Sequence, residues 1–297
     1  MHLDSPDRLT NVRLSVPASC QAMPEESSGS TIRHFEFGTG NPLLVLHGLP
    51  LDHRSAEAML EPVFQYGRRW RRIYIDLPGH GDSPAQEWIR SNDEMVEAVA
   101  AFVESSFPHE RFALAAHSYG AYLARGLTRR FADRMLGLMM WVPASYPRNA
   151  RRRPPPVVLR RDPAAMAELS SDWEKFYGEL MVIQDPEAVD VAKGLLAPAA
   201  ERSNEEFLDK VAGTKFTFVP EEGRFLRPTL IVCGRQDSLV GFEDQFDLLD
   251  RFPRATYAVI DSAGHLLGAS EQNEVFRSLV SDWLTRMEIE TEQPSRD

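Results

Sequence analysis

The chain has 297 residues, 43% of them hydrophobic and 26% charged, with a formal net charge of −11; it can bury a sizeable core as one large domain or one domain with an insertion. The acidic balance argues against a nucleic-acid or anionic-membrane surface, and no apolar run approaches the roughly 20 residues that span a bilayer. The N-terminal MHLDSPDRLT lacks a basic-then-apolar leader pattern, and two cysteines, Cys20 and Cys233, make neither a disulfide framework nor a metal site, so the expectation is a cytoplasmic protein with no metal and a buried, inert Cys233.

Residues 1–30 read as an N-terminal extension whose Val12–Val16 stretch alternates like an edge strand. Thr31–Phe37 is predicted as a second strand, and after the turn cluster 38–42 the continuous apolar run Leu43–Leu46 as a strand buried on both faces. It ends at His47-Gly48-Leu49-Pro50. Arg54–Phe64 is predicted as a helix and Trp70–Ile75 as the next strand, running into Asp76-Leu77-Pro78-Gly79-His80-Gly81-Asp82-Ser83. A carboxylate at such a strand end accepts backbone N–H bonds that hold the loop, so Asp76 is given a structural role. Asn92–Ser106 carries apolar residues at helical spacing.

Phe112–Ala116 is a short apolar run, His117-Ser118-Tyr119-Gly120 interrupts it, and Tyr122, Leu123 and Leu127 continue at helical spacing. This predicts strand, sharp turn, helix. A serine at such a turn sits on strained backbone, so the positions two before and two after it must be small, and they are Ala116 and Gly120. Leu136–Val142 is the next strand. From 145 to 227 the alternation breaks into the proline-rich stretch RNARRRPPP, whose Arg151–Arg153 is read as a solvated charge run, and the amphipathic segments Pro163–Leu180, Pro186–Leu196 and Glu205–Val211. Alternation then resumes with a strand at Pro228–Cys233, the loop Gly234–Val240, a helix from about Phe242 to Phe252, a strand at Ala255–Ile260, the loop ending at His265, and a helix at Gln272–Trp283; 289–297 is a polar tail. Strand–helix alternation of this kind implies right-handed crossovers, a mostly parallel doubly wound sheet, and ligands at the carboxyl ends of strands.

Ala116-His117-Ser118-Tyr119-Gly120 resembles the nucleophile elbow of the α/β-hydrolase superfamily, with Ala in place of the first Gly of G-x-S-x-G. His47-Gly48 resembles the family's oxyanion loop, Asp76–Ser83 its D-x-x-G-x-G-x-S loop, Gly234–Asp237 the segment carrying its acid, and Asp261–His265 the loop carrying its histidine. No carboxylate follows the Leu136–Val142 strand, where some relatives place the acid. The resemblance covers residues 31–286. It implies an α/β-hydrolase core over 31–144 and 228–288 with a mainly helical cap at 145–227. It also implies Ser118 as nucleophile, His265 as base, Asp237 as its orienting acid, and the backbone amides of Leu49 and Tyr119 as oxyanion donors, with no organic cofactor.

The chemistry requires this set: a serine hydroxyl needs a base near neutral pKa, and imidazole needs a carboxylate to fix its tautomer and stabilise its cation. His117 is set aside as a base because strand neighbours face opposite ways. The expected substrate is a small or medium carboxylic ester or lactone, a small-molecule acyl compound. Cofactor-free non-hydrolytic enzymes, C–C bond hydrolases, acyltransferases or cyclases, and a slow-turnover receptor remain readings of the same scaffold. Oligomeric state is left open.

Overall fold

The computed structural model describes residues 31–64, 67–144, 152–220 and 223–292; the Val12–Val16 strand, Arg151 and the end of the polar tail lie outside them. Apolar runs buried on both faces form the interior of a seven-stranded sheet. Its strands are β1 (His34–Phe37), β2 (Asn41–Leu46), β3 (Trp70–Ile75), β4 (Phe112–His117), β5 (Met135–Trp141), β8 (Thr229–Gly234) and β9 (Ala255–Ile260), in the order β1-β3-β2-β4-β5-β8-β9. Only β1 is antiparallel to its neighbour, and every other pair is parallel. The short strands β6 (Arg160–Arg161) and β7 (Ile183–Gln184) pair outside this sheet.

Side-chain alternation divides the core. Leu43, Val45, Ala113, Ala115, Met139, Trp141 and Val232 face α1 (His53–Leu60) and α9 (Asn273–Glu292). Leu44, Leu46, Leu114, Ala116, Met140, Ile231 and Cys233 face α2 (Asn92–Ser106) and α3 (Ser118–Phe131). With helices covering both faces, all parallel strands end along one edge, at His47, Asp76, Ser118 and Gly234.

Three of the helices predicted outside the insertion differ from what forms. The first helix closes at Leu60 and tightens to a 3₁₀ turn over Glu61–Val63, where Pro62 offers no N–H to continue the α ladder. Over 242–252 there is no α-helix but turns and a 3₁₀ helix, Phe246–Asp250. Adjacent Asp244 and Gln245 both turn inward there: Asp244 holds the Arg152 backbone N–H (3.0 Å) and Gln245 donates to the Pro143 carbonyl (2.7 Å), pinning the chain that leaves β5. The last helix continues past Trp283 to Glu292, into the predicted polar tail. Its late acids are anchored: Glu288 accepts from Arg68 Nη1 and Trp70 Nε1, both at 2.8 Å, and Glu290 pairs with Arg254.

Between β5 and β8 the chain makes a helical excursion: α4 (Pro163–Met166), α5 (Ser171–Leu180), α6 (Pro186–Val191), a π turn, α7 (Ala197–Glu201) and α8 (Glu205–Ala212). The predicted Pro163–Leu180 segment is thus two helices. The insertion lands on the strand edge at two places. On one side Asn204 N–H donates to the Gly79 carbonyl (2.8 Å), Asn92 bonds Thr214 through its own N–H (2.9 Å) and its Nδ2 (2.7 Å), and Phe216 stacks on Tyr122. On the other, residues 179–183 lie against the loops after β8 and β9, where Ser238 Oγ donates to the Glu179 carbonyl at 3.1 Å. Of the predicted run 151–153, Arg152 and Arg153 are exposed, and Arg152 pairs with Asp244 and Asp247 at the surface.

Candidate active site

Ser118 lies where β4 becomes α3, with φ at +49°, a left-handed backbone that a non-glycine residue adopts only under local constraint. The close crossing beneath it explains the small neighbours. Ala116 is fully buried between strand and helices, and at Gly120 a Cβ would stand 2.5 Å from the His47 carbonyl oxygen and 2.8 Å from Leu46 Cβ. The other non-glycine residues at positive φ are Val142, Ser262 and Gln272, among the described residues. They end β5 or flank the loop that carries His265, so backbone strain gathers around this edge.

The residues predicted from three distant segments meet. His265 Nδ1 lies 2.9 Å from Asp237 Oδ2 and His265 Nε2 lies 2.9 Å from Ser118 Oγ. With Nδ1–H donated to the carboxylate, Nε2 is left as the acceptor for the serine hydroxyl. Asp237 is held in turn: its Oδ1 accepts the Leu239 and Val240 N–H groups, each at 2.9 Å, leaving Oδ2 to the imidazole. Ser118 and His265 are each 6% exposed and Asp237 is fully buried, so little of the chain of bonds is open to water.

His47 and Asp76 hold loops. His47 Nε2 accepts the Leu77 N–H (3.0 Å) and its Nδ1 donates to the Gly48 carbonyl (2.9 Å); burial lowers its pKa, and it fixes one neutral tautomer. Gly48 has no room for a side chain, since a Cβ would meet His117 Nδ1 at 2.6 Å and Ser118 Cβ at 3.0 Å, which places the Leu49 loop directly beside the serine. Asp76 accepts from the His53 N–H and His53 Nδ1, both at 2.8 Å, and from the Asp82 N–H at 2.8 Å. Burial opposes its charge, but the His53 bond prevails and lowers its pKa to about 2.

Tyr119 follows Ser118 in the first turn of α3. Its side chain is committed elsewhere: the hydroxyl donates to Asn92 Oδ1 at 2.7 Å, tying the elbow through Asn92 to Thr214 of the insertion, and burial holds the phenol well above its ordinary pKa. The N-termini of α1, α2, α6 and α8 are capped by the side chains of Asp52, Ser91, Asp185 and Asn204, whereas the N-cap residue of α3, His117, makes no side-chain bond. No side-chain cap occupies the first amides of α3, as is also the case for α5 and α7.

His117 does not bond Ser118. Its ring stacks on Trp141 with centroids 5.2 Å apart and lies 5.6 Å from the His265 ring, and burial holds its pKa well below the ordinary histidine value. Asp52, His53 and Asp76 form a group of buried atoms within 4.8 Å that could share a cation, but Asp76 is bonded to His53 and Asp52 to Arg54, so a cation would have to displace those bonds. A cleft of about 690 Å³ lined by Gly40, Asn41, Arg68, Arg69 and Glu288 opens at the start of β2, the opposite edge from Ser118. Two residues escaped the sequence reading: Asn92, whose only signal was its place at a helix start, and Glu271, the acid that follows the small and apolar stretch 266–270.

A parallel sheet of this order, carrying a serine at a strained strand-to-helix turn, is the architecture of an α/β hydrolase. Residues 43–278 match the family model described as the alpha/beta hydrolase family, and the chain belongs to that family. It is similar to an alpha/beta superfamily hydrolase from Oenococcus oeni PSU-1, whose crystal structure superposes with a TM-score of 0.81 at 26% identity over 90% of this chain and 100% of that one. It is 24% identical to the AB hydrolase superfamily protein YisY of Bacillus subtilis over 84% of this chain and 93% of that protein. Over 104 residues, 34% of this chain and 37% of the relative, it is 28% identical to (E)-2-((N-methylformamido)methylene)succinate hydrolase of Acinetobacter baylyi. No helix among the described residues is long and apolar enough to cross a membrane.

Proposed function

We propose that the protein is a serine hydrolase that cleaves a small or medium carboxylic ester or lactone through an acyl-enzyme intermediate. The observation that carries this reading is the unbroken chain Ser118 Oγ, His265, Asp237, with 2.9 Å at each link and the serine on strained backbone. Ser118 attacks the acyl carbonyl while His265 Nε2 takes its proton. Asp237 holds the imidazole in the productive tautomer and stabilises its cation, and His265 returns the proton to the leaving alcohol. Water, activated by the same imidazole, then releases the acid. The Leu49 and Tyr119 amides take the developing oxyanion, a role supported by the uncapped start of α3 and by the closeness of Gly48 to Ser118. Residues 145–227 act as the cap that selects the substrate, and none of these steps requires a metal or organic cofactor.

The test is peptide mass spectrometry after fluorophosphonate treatment beside a short-chain nitrophenyl ester assay. A stoichiometric adduct on Ser118, absent in Ser118→Ala and abolished in His265→Ala, is the expected result, with turnover in Ser118→Ala reduced on the order of a thousandfold or more. Near wild-type activity in Ser118→Ala overturns the assignment.

A further inference from the structure

Glu271 is a carboxylate that the proposed reaction does not use. It is 1% exposed, and among the described residues its neighbours are backbone amides and the like-charged Asp237, with no cationic side chain paired to it. Burial pushes its pKa up, against the pull of three backbone amides. An uncompensated buried carboxylate is costly, so the position is defined by what the two oxygens hold. Oε1 accepts the Val182 N–H (2.7 Å) and the Ile183 N–H (3.2 Å), where α5 of the insertion gives way to β7. Oε2 accepts the N–H of Gly264 (2.5 Å), the residue immediately before His265. One side chain thus joins the insertion to the loop that carries the base.

The surroundings reinforce this junction. Gly264 is pressed against the insertion, where a Cβ would meet Val182 Cγ2 at 2.8 Å and the Leu180 carbonyl at 3.0 Å. The same stretch reaches the acid's loop through the 3.1 Å bond from Ser238 Oγ to the Glu179 carbonyl. Glu271 is held from its own side as well, since its carbonyl accepts the Gly268 N–H at 2.9 Å and the next residue, Gln272, is at φ +51°. Two of the three amides it satisfies, those of Val182 and Gly264, belong to irregular backbone, and the third opens β7.

We propose that Glu271 is a positioning residue that latches residues 179–183 of the insertion onto the His265 loop, so that the seating of the insertion sets the alignment of His265 with Ser118. The inference rests on the reading of Ser118 and His265 as nucleophile and base. A base displaced by about 1 Å loses its hydrogen bond to the serine, and a misplacement of that size lowers rates by up to about a hundredfold.

The experiment compares the full-length wild type with Glu271→Gln and Glu271→Ala. Gln preserves the shape and one acceptor oxygen but turns an NH₂ toward one set of amides; Ala removes both acceptors. Three readouts are taken: the fluorophosphonate inactivation rate at Ser118, kcat and KM for a nitrophenyl ester, and hydrogen exchange by mass spectrometry. The expected result is an inactivation rate and a kcat that fall on the order of tenfold in Glu271→Gln and further in Glu271→Ala, with KM changed by less than about twofold. Exchange should rise together in peptides spanning 180–184 and 262–267 while β4 and β5 keep their protection. Wild-type labelling rates in Glu271→Gln, or exchange that rises throughout the sheet rather than at the two joined segments, overturn the latch. Failure of the wild type itself to take label on Ser118 overturns the reading on which the latch rests, and that outcome is distinct because it needs no variant. If Glu271→Ala does not fold, Glu271→Gln alone decides.

Discussion

Gly120 and the His47 carbonyl face each other across the crossing of α3 over β2 so closely that a Cβ on Gly120 would stand 2.5 Å from the oxygen. That contact locks two parts of the proposed site together, because His47 begins the Leu49 loop and Gly120 lies two residues beyond Ser118. Relieving the overlap requires α3 to lift or the Leu49 loop to shift, and either motion separates the two proposed oxyanion amides.

Gly120→Ala should therefore lose activity and stability together. Overpacking of this kind costs about 1–3 kcal/mol, and losing the geometry of one oxyanion donor lowers turnover on the order of a hundredfold. Ala116→Gly relaxes the same elbow and should cost only about 1 kcal/mol of strand stability with activity within a few-fold of wild type. Thermal melts and ester assays on the two variants check the pair. Equal activity in both would show that the crossing does not set the site.

The two buried aspartates at strand ends, Asp237 and Asp76, should separate by phenotype. Asp237 holds His265 Nδ1, so Asp237→Asn favours the wrong imidazole tautomer and should lower kcat/KM and the fluorophosphonate rate on the order of a thousandfold to ten-thousandfold. Asp76 bonds His53 and the Asp82 amide rather than His265. Asp76→Asn should lower Tm while the labelling rate of the folded protein stays within about tenfold of wild type. Comparable loss of labelling in the two variants would remove the distinction.

How much of this could be read from the sequence follows from the range of the interactions concerned. β3, α2 and β9 form over the predicted residues because the apolar period of each lies within the segment itself. Ser118, Asp237 and His265 were legible because chemistry restricts their residue types and the fold restricts their order. The segment 242–252 was misread as a helix because its local pattern is helical, whereas Asp244 and Gln245 are drawn inward by Arg152 and Pro143, 92 and 102 residues away in the chain. The helical end of the chain was missed for the same reason: Glu288 and Glu290 look solvated in sequence and find Arg68 and Arg254 only after folding. Glu271 had no local signal, since its partners are amides at 182, 183 and 264.

Asp76 should also reveal itself in acid. Its pKa is lowered from 3.8 to about 2, so the unfolded chain binds a proton at higher pH than the native protein does. The stabilisation, about 2 kcal/mol, is fully present above pH ~4 and disappears as the pH falls through ~2. In urea titrations the gap between wild type and Asp76→Asn should be constant from neutral pH to about 5 and should narrow by about 1 kcal/mol at pH 3. A gap unchanged at pH 3 would mean that the carboxylate is not held ionised by the fold.

A second acid window lies higher and belongs to buried histidine. His80 is fully buried against His47, with ring centroids 4.7 Å apart; burial first, and the neighbouring His47 second, lower its pKa from 6.5 to about 3. The unfolded chain therefore takes up a proton that the native protein refuses, and stability that is complete above pH ~6.5 is lost as the pH falls toward 3. At pH 5.5 the loss from His80 alone is on the order of 1 kcal/mol, and the lowered pKa values of His47 and His117 act in the same direction. His80→Leu keeps a side chain of similar size without the titrating group. Unfolding free energies measured at pH 7.5 and 5.5 should show the variant gaining on the order of 1 kcal/mol relative to wild type over that interval. Parallel curves for the two proteins would place the His80 pKa near its ordinary value and refute the neutral, buried state.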